Sequence, residues 1–248
     1  HPRDRRQRQM CIRDRTSNAF NLQSDYSDKM TIGGTVNKTF LTLMILIGSA
    51  YYSWTYISIT NILLLPAVIG GFIVAIITIR KKEWAPITVP IYGVLQGIFL
   101  GIISNVFNAM YDGIVITAIS YTLCILFALL SVYRLGLIKP TENFKLGLAA
   151  ATGGIAIVYL ANFIMSFFGS GIPLMDINNS SMYSIGFSVF VIIIAAMNLV
   201  VDFDFIEEGA EKGAPKYMEW FGAFGLMVTL IWLYLEILKL LAKMNSRK

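Results

Sequence analysis

Seven apolar runs constrain this chain more than any other feature: residues 39–57, 62–79, 87–106, 114–133, 146–168, 183–201 and 217–241. Each holds about 18 residues or more, enough to bridge a hydrocarbon layer roughly 30 Å thick. No water is available there to satisfy backbone N–H and C=O groups, so helices are the default. A spanning β-barrel would instead show alternating segments of about ten residues, and none occurs. Charged residues make up only 14% of the chain against 56% hydrophobic, and mean hydropathy is +0.66. A soluble domain carries about 25% charged residues, and a buried core alone does not explain that shortfall. The expectation is an all-α membrane protein of seven transmembrane helices. No cleavable signal peptide is read, because the first apolar run starts late and lacks a small-residue cleavage site.

Residues 1–29 read as a disordered, polar arm ahead of a membrane domain spanning residues 30–248. The first fifteen, HPRDRRQRQMCIRDR, hold six Arg against two Asp and the chain's single His, His1. They account for four of the five net positive charges. This string reads as an artefactual extension ahead of Met30, so the sequence pI of about 9.1 does not point to nucleic acid. Of two cysteines, Cys11 lies in the arm and Cys124 in the fourth run. They cannot form a disulfide framework within the membrane domain, and Cys124 reads as a small packing residue.

Orientation follows from the basic loops. Arg80, Lys81 and Lys82 follow the second run, and Arg134, Lys139 and Lys145 follow the fourth. The intervening loops carry at most one Asp each, so the even-numbered loops and the N-terminus are expected in the cytoplasm. The end of the chain conflicts with this pattern. Seven crossings would place Lys239, Lys243, Arg247 and Lys248 outside, so either the last segment is re-entrant or the tail departs from the rule. In the third run Gly93, Gly97 and Gly101 recur every four residues on one helix face, a stripe suited to close helix packing. Gly147, Gly153 and Gly154 in the fifth run read the same way.

The chemistry concentrates near the last two runs. Asp202, Asp204, Glu207, Glu208 and Glu211 crowd into ten residues at the end of the sixth. Glu236 interrupts the seventh, where a carboxylate costs on the order of 3 kcal/mol to insert and usually faces the bundle interior. Asp202 is the second acid expected to be buried. Asp202 and Asp204 are about 200° apart on a helix, so only one can face a given partner. Glu207, Glu208 and Glu211 read as the solvated end of the sixth helix.

Three elements resemble the Bax inhibitor (transmembrane Bax-inhibitor-motif) family, in its bacterial branch: Val201-Asp202-Phe203-Asp204-Phe205-Ile206-Glu207, the final-span Leu233-Tyr234-Leu235-Glu236, and Gly93-Val94-Leu95-Gln96-Gly97-Ile98-Phe99-Leu100-Gly101. The resemblance covers nearly the whole membrane domain. It implies a seven-helix bundle around the last helix and a pH-sensitive Ca²⁺ leak in the bacterial cytoplasmic membrane. A carboxylate pair from the sixth and seventh helices gates such a leak, and mapping that pair gives Asp202 and Glu236. Two carboxylates facing each other in a low-dielectric site cannot both ionise cheaply. A shared proton would lock the helices, and ionisation would part them and offer hard oxygens for transient Ca²⁺. Arg80 is a possible counter-charge. Two departures stand out: Glu replaces the family's usual Asp in the last helix, and the two acids are farther apart in sequence than the family's pair. On a straight helix from Tyr217, Glu236 would be about 28 Å along, beyond the reach of Asp202. The pair therefore requires a bend at Gly222 or Gly225, or an interfacial segment over 214–226; otherwise Glu219 becomes the partner of Asp202 or Asp204.

No enzyme is expected. With His1 discounted, the chain has no histidine for a Ser–His dyad or a paired-His zinc motif, and no Gly-x-Gly-Asp string marks an aspartyl intramembrane protease. No cofactor is expected beyond Ca²⁺ as a permeant ion. Two alternatives stay open. One is a proton-coupled secondary transporter, for which inverted repeats would be the sign. The other is a non-conducting regulator that binds a membrane protease or stress-pathway partner.

Overall fold

A computed structural model describes residues 29–169, 171–177 and 179–246. Seven helices in it are long and apolar enough to cross a membrane. They are α1 (Ile32–Thr55), α2 (Leu64–Arg80), α3 (Ala85–Met110), α4 (Ile114–Arg134), α5 (Glu142–Phe167), α6 (Met182–Glu211) and α7 (Met218–Asn245). The helical turn Ile57–Thr60 and a 3-10 turn, Asn61–Leu63, extend α2 at its start. Two boundaries differ from the hydropathy reading. Helix α1 begins seven residues earlier than the first apolar run, because Thr31 caps it by accepting from the Gly34 N–H at 2.9 Å. Helix α6 runs on past Val201 to Glu211 and carries the acidic stretch as helix.

Of the arm read as residues 1–29, only Lys29 is described, and it forms an antiparallel bridge with Pro215. Next to it the Met30 N–H donates to the Ala214 carbonyl at 2.7 Å, and the Met30 side chain is buried. The start of α1 is thus strapped to the turn between α6 and α7.

The core is α7. Two thirds of its central window is buried, 67% against 11% for α5, and it packs on α1, α3, α4 and α6. Helix α3 seats α1 along the glycine stripe. A Cβ at Gly97 would overlap Ser49 Oγ and the Leu46 carbonyl oxygen, and one at Gly101 would overlap Ser53 Oγ and the Ala50 carbonyl oxygen. Gly93 faces Thr42 in the same row. The glycines of α5 behave otherwise: a Cβ at Gly147, Gly153 or Gly154 would meet nothing within 4 Å. The close-packing reading of those three is corrected, because α5 contacts mainly α6 and leaves these positions open. Cys124 is also exposed on the bundle surface rather than packed.

The α6–α7 turn sets the register on which the rest depends. Gly213 takes φ +64°, its N–H donates to the Ala210 carbonyl, and the Ala214 N–H donates to the Gly209 carbonyl. This is a Schellman close, which needs a residue without a Cβ penalty at that position. Pro215 follows and forbids continuation. The chain reverses in a few residues, and α7 returns unbroken along α6. The 28 residues of α7 form one continuous helix with a length of about 42 Å.

Candidate functional site

A tight hairpin places residues equidistant from its turn opposite one another. Asp202 accordingly faces the third and fourth turns of α7. The Thr229 hydroxyl donates to its Oδ2 at 2.6 Å, and a Cβ at Gly225 would lie 3.2 Å from its Oδ1. Gly225 therefore provides the room that the half-buried carboxylate occupies. Among the described residues no ammonium or guanidinium forms an ion pair with Asp202.

Asp204 points the other way, as the 200° offset requires. Lys145, in the first turn of α5, meets it at 2.6 Å and also approaches Glu142 at 3.1 Å and Glu208 at 3.8 Å. Glu208 pairs in addition with Lys212, and Glu207 accepts from the Tyr133 hydroxyl. The acidic end of α6 is thus tied to the loop between α4 and α5, so the basic stretch there and the carboxylates sit at one end of the bundle.

Glu219 is almost fully buried, 2% exposed, and belongs to neither acid of α6. Its Oε1 accepts the Thr31 N–H at 3.1 Å and the Thr31 hydroxyl at 2.9 Å. Gly34 leaves the space, since a Cβ there would overlap the Glu219 carboxylate. A carboxylate at the first turn of α1 satisfies an otherwise orphaned donor and complements the positive end of the helix dipole. The expectation that Glu219 could substitute as partner of Asp202 or Asp204 is corrected on this geometry.

Glu236 stands seven residues beyond Thr229, about 10 Å farther along α7. It is buried and accepts at Oε1 from the Tyr159 hydroxyl of α5 and from the Lys239 ammonium, each at 2.6 Å. The Lys239 ammonium also lies 4.7 Å from the centre of the Tyr159 ring. One turn on, the buried Lys243 donates to the Leu174 carbonyl at 2.8 Å, to Ser188 Oγ at 3.0 Å and to the Ser184 carbonyl at 3.4 Å. A cavity of about 230 Å³ opens between these groups, with Asn162 and Phe187 in its wall.

Asp202 and Glu236 therefore do not face each other, and a Ca²⁺ ion bridging the two is not formed by this arrangement. The physical reason is register: the turn at Gly213–Pro215 fixes Asp202 against Gly225 and Thr229, and two further turns of continuous helix carry Glu236 to Tyr159 and Lys239. Arg80, the expected counter-charge, is exposed at the end of α2, and no ion pair among the described residues includes it. The cation beside a buried acid is instead Lys239. Gly93, Gly97 and Gly101 lie against α1, as described above.

The family profile described as Bax inhibitor 1 like matches residues 5–246. The chain belongs to that family. It is an integral membrane protein of seven apolar helices. No curated protein matches it.

Several side chains that shape the site carry little sequence signal. Lys239 was legible, since it follows Glu236 at i,i+3 on the same helix face. Of the four basic residues that conflict with the positive-inside rule, Lys239 and Lys243 are engaged by protein groups, and Arg247 and Lys248 lie outside the described residues. Thr229, Thr31 and Tyr159 meet their acids from other positions or helices, and only the fold reveals them.

Proposed function

We propose that this Bax inhibitor 1 like protein is a proton-regulated cation leak permeable to Ca²⁺, non-enzymatic, in a bacterial cytoplasmic membrane with its N-terminus inside. The observation that carries this reading is Asp202: a half-buried carboxylate between α6 and α7, clasped by the Thr229 hydroxyl and Gly225, that forms no ion pair among the described residues. A carboxylate in such a place has a charge that its surroundings do not fix. When protonated, it is a neutral hydrogen-bonding group that holds the two helices together. When ionised, it is a desolvated charge, and charge between packed helices favours their separation and the entry of water and cations. The hard oxygens of Asp202, and of Glu236 about 10 Å beyond it along α7, suit Ca²⁺. The basic loops 80–82 and 134–145 support the orientation.

Glu236 holds a different place in this scheme from the one its sequence suggests. Its carboxylate is paired with Lys239, and this reading puts the proton response on Asp202. The experiment is Ca²⁺ flux into liposomes holding purified protein, measured at acid and neutral pH. Flux should fall on acidification in the wild type, Asp202→Asn should flatten that response, and Glu236→Gln should retain it. A protein that conducts at no pH would overturn the leak and favour a non-conducting regulator. A wild-type profile in Asp202→Asn would remove Asp202 as the sensor.

A further inference from the structure

A second cavity, of about 520 Å³, opens between α1, α3, α4 and α7, away from the carboxylates described above. Leu100, Leu230 and Ile231 form its buried floor, and the exposed Tyr51 and Ile119 stand at its mouth. In a bundle of membrane spans that mouth opens onto lipid. On α1 the cavity runs from Leu43 to Trp54, and on α4 from Val115 to Leu126, each stretch about 16 Å at 1.5 Å per residue. Leu43 is at the middle of α1 and Trp54 beside its last residue, while Val115 is in the first turn of α4. The cavity therefore takes up the half of the bundle nearer the α3–α4 loop, and half of a hydrocarbon layer is about 15 Å. Spread over that length, about 520 Å³ leaves a cross-section of roughly 32 Å². That suits one extended hydrocarbon chain and excludes a helix, which is about 10–12 Å across.

One polar feature interrupts the apolar wall. The hydroxyls of Ser104 and Tyr234 line the cavity and share a single hydrogen bond of 2.6 Å. Both side chains are deeply buried, at 6% and 8% exposure. Either can be the donor, but two hydroxyls hold two protons and one bond uses one of them. Neither makes a further hydrogen bond among the described residues. One O–H is therefore left over in an apolar wall, where a donor without an acceptor is costly. Its depth is also informative. The neighbouring Asn105 side chain donates to the Trp54 carbonyl at 3.4 Å, which puts Ser104 level with Trp54, and Trp and Tyr collect where hydrocarbon gives way to headgroups. We infer that this cavity binds one fatty acyl chain of a membrane glycerolipid, its ester carbonyl accepting from the Ser104–Tyr234 pair and its tail lying along α1 toward Leu43. The site is independent of the cation-leak reading, since no carboxylate and no ammonium lines it.

The test titrates phosphatidylglycerol into the full chain purified in detergent and counts bound lipid by native mass spectrometry. A diester lipid is compared with its diether analogue of the same chain length. The wild type should hold one diester about tenfold more tightly than the diether, which lacks the carbonyl. Ser104→Ala and Tyr234→Phe each keep one hydroxyl proton for the lipid and should retain the preference. Ser104→Ala/Tyr234→Phe keeps none and should lose it. Equal binding of the two lipids by the wild type, or a preference that survives in the double variant, would overturn the assignment. Should the double variant fail to fold, Trp54 supplies a second readout. Phosphatidylglycerol brominated near the carbonyl end of its acyl chains should quench the wild-type fluorescence saturably, and Trp54→Phe should remove the saturable part. Quenching that never saturates, or that persists in Trp54→Phe, would put the lipid elsewhere and refute the site.

Discussion

The two halves of α7 treat buried carboxylates in opposite ways. Toward its start, Glu219 and Asp202 are held by uncharged donors: the N–H and hydroxyl of Thr31 for one and the hydroxyl of Thr229 for the other. Toward its end, Glu236 is held by an ammonium, and a second ammonium is buried one turn away. Partners of the first kind leave the carboxylate without a matched charge, and the second kind supplies one. The difference teaches that burial alone does not make an acid a sensor. The charge type of the nearest donor decides what the acid can do, and one helix here carries both solutions.

Substitutions that swap each carboxylate for a neutral group can break or sharpen that contrast. The largest loss should come from Glu236→Gln, which leaves the Lys239 ammonium without its carboxylate partner. Breaking one side of a buried ion pair costs about 3–5 kcal/mol, and the partial exposure of Lys239 puts the expected value near about 3 kcal/mol. Chemical denaturation in detergent measures it, and a loss under about 1 kcal/mol would erase the distinction between the two ends. Next comes Glu219→Ala, which removes the acceptor from Thr31 at the head of α1. About 1–2 kcal/mol is expected for a lost cap of this kind. Faster amide exchange should be confined to the first turn of α1, and exchange unchanged there would show that Glu219 holds nothing. The smallest effect on stability belongs to Asp202→Asn. The amide oxygen can still accept from Thr229, so the loss should stay under about 1 kcal/mol, although this same change should remove the pH response of flux. A large destabilisation by Asp202→Asn would mean that its ionised form is a fixed structural charge like that of Glu236.

Much of the architecture is legible in the sequence because a bilayer leaves few choices. Apolar length gives the number of helices, and the four-residue spacing of Gly93, Gly97 and Gly101 marks the face that seats α1. What the apolar runs miss is where polar residues continue a helix. Helix α6 carries five acids beyond its apolar run, the last three as the solvated helix end expected of them, and Lys145, Tyr133 and Lys212 satisfy three of the five. The carboxylate pairing was harder to read. Motif order places Asp202 with Glu236, and only the hairpin register shows that they miss. The clue was present in Gly213-Ala214-Pro215, which ends one helix and starts the next within a few residues. A turn that short sets Asp202, eleven residues before Gly213, against Gly225, twelve after it. Partners such as Tyr159 and Thr31 could not be found this way, because no local spacing links them to the acids they hold.

The strap at the head of α1 has a further consequence for how the protein is made. Chains emerge from the ribosome N-terminus first, yet the carboxylate that holds the cap residue Thr31 is Glu219, 188 residues downstream. The partners of Lys29 and Met30, Pro215 and Ala214, are nearly as far away. The helix on which α1, α3, α4 and α6 pack is likewise made after all of them. Until α7 inserts, six spans wait in the bilayer without the surface they are shaped to fit, and Thr31 at the head of the first lacks its carboxylate. Insertion of α7 is thus also the moment of closure. A polypeptide cut short before Met218 would lose its centre along with that span, so whether the earlier spans become compact is decided only when α7 has been made.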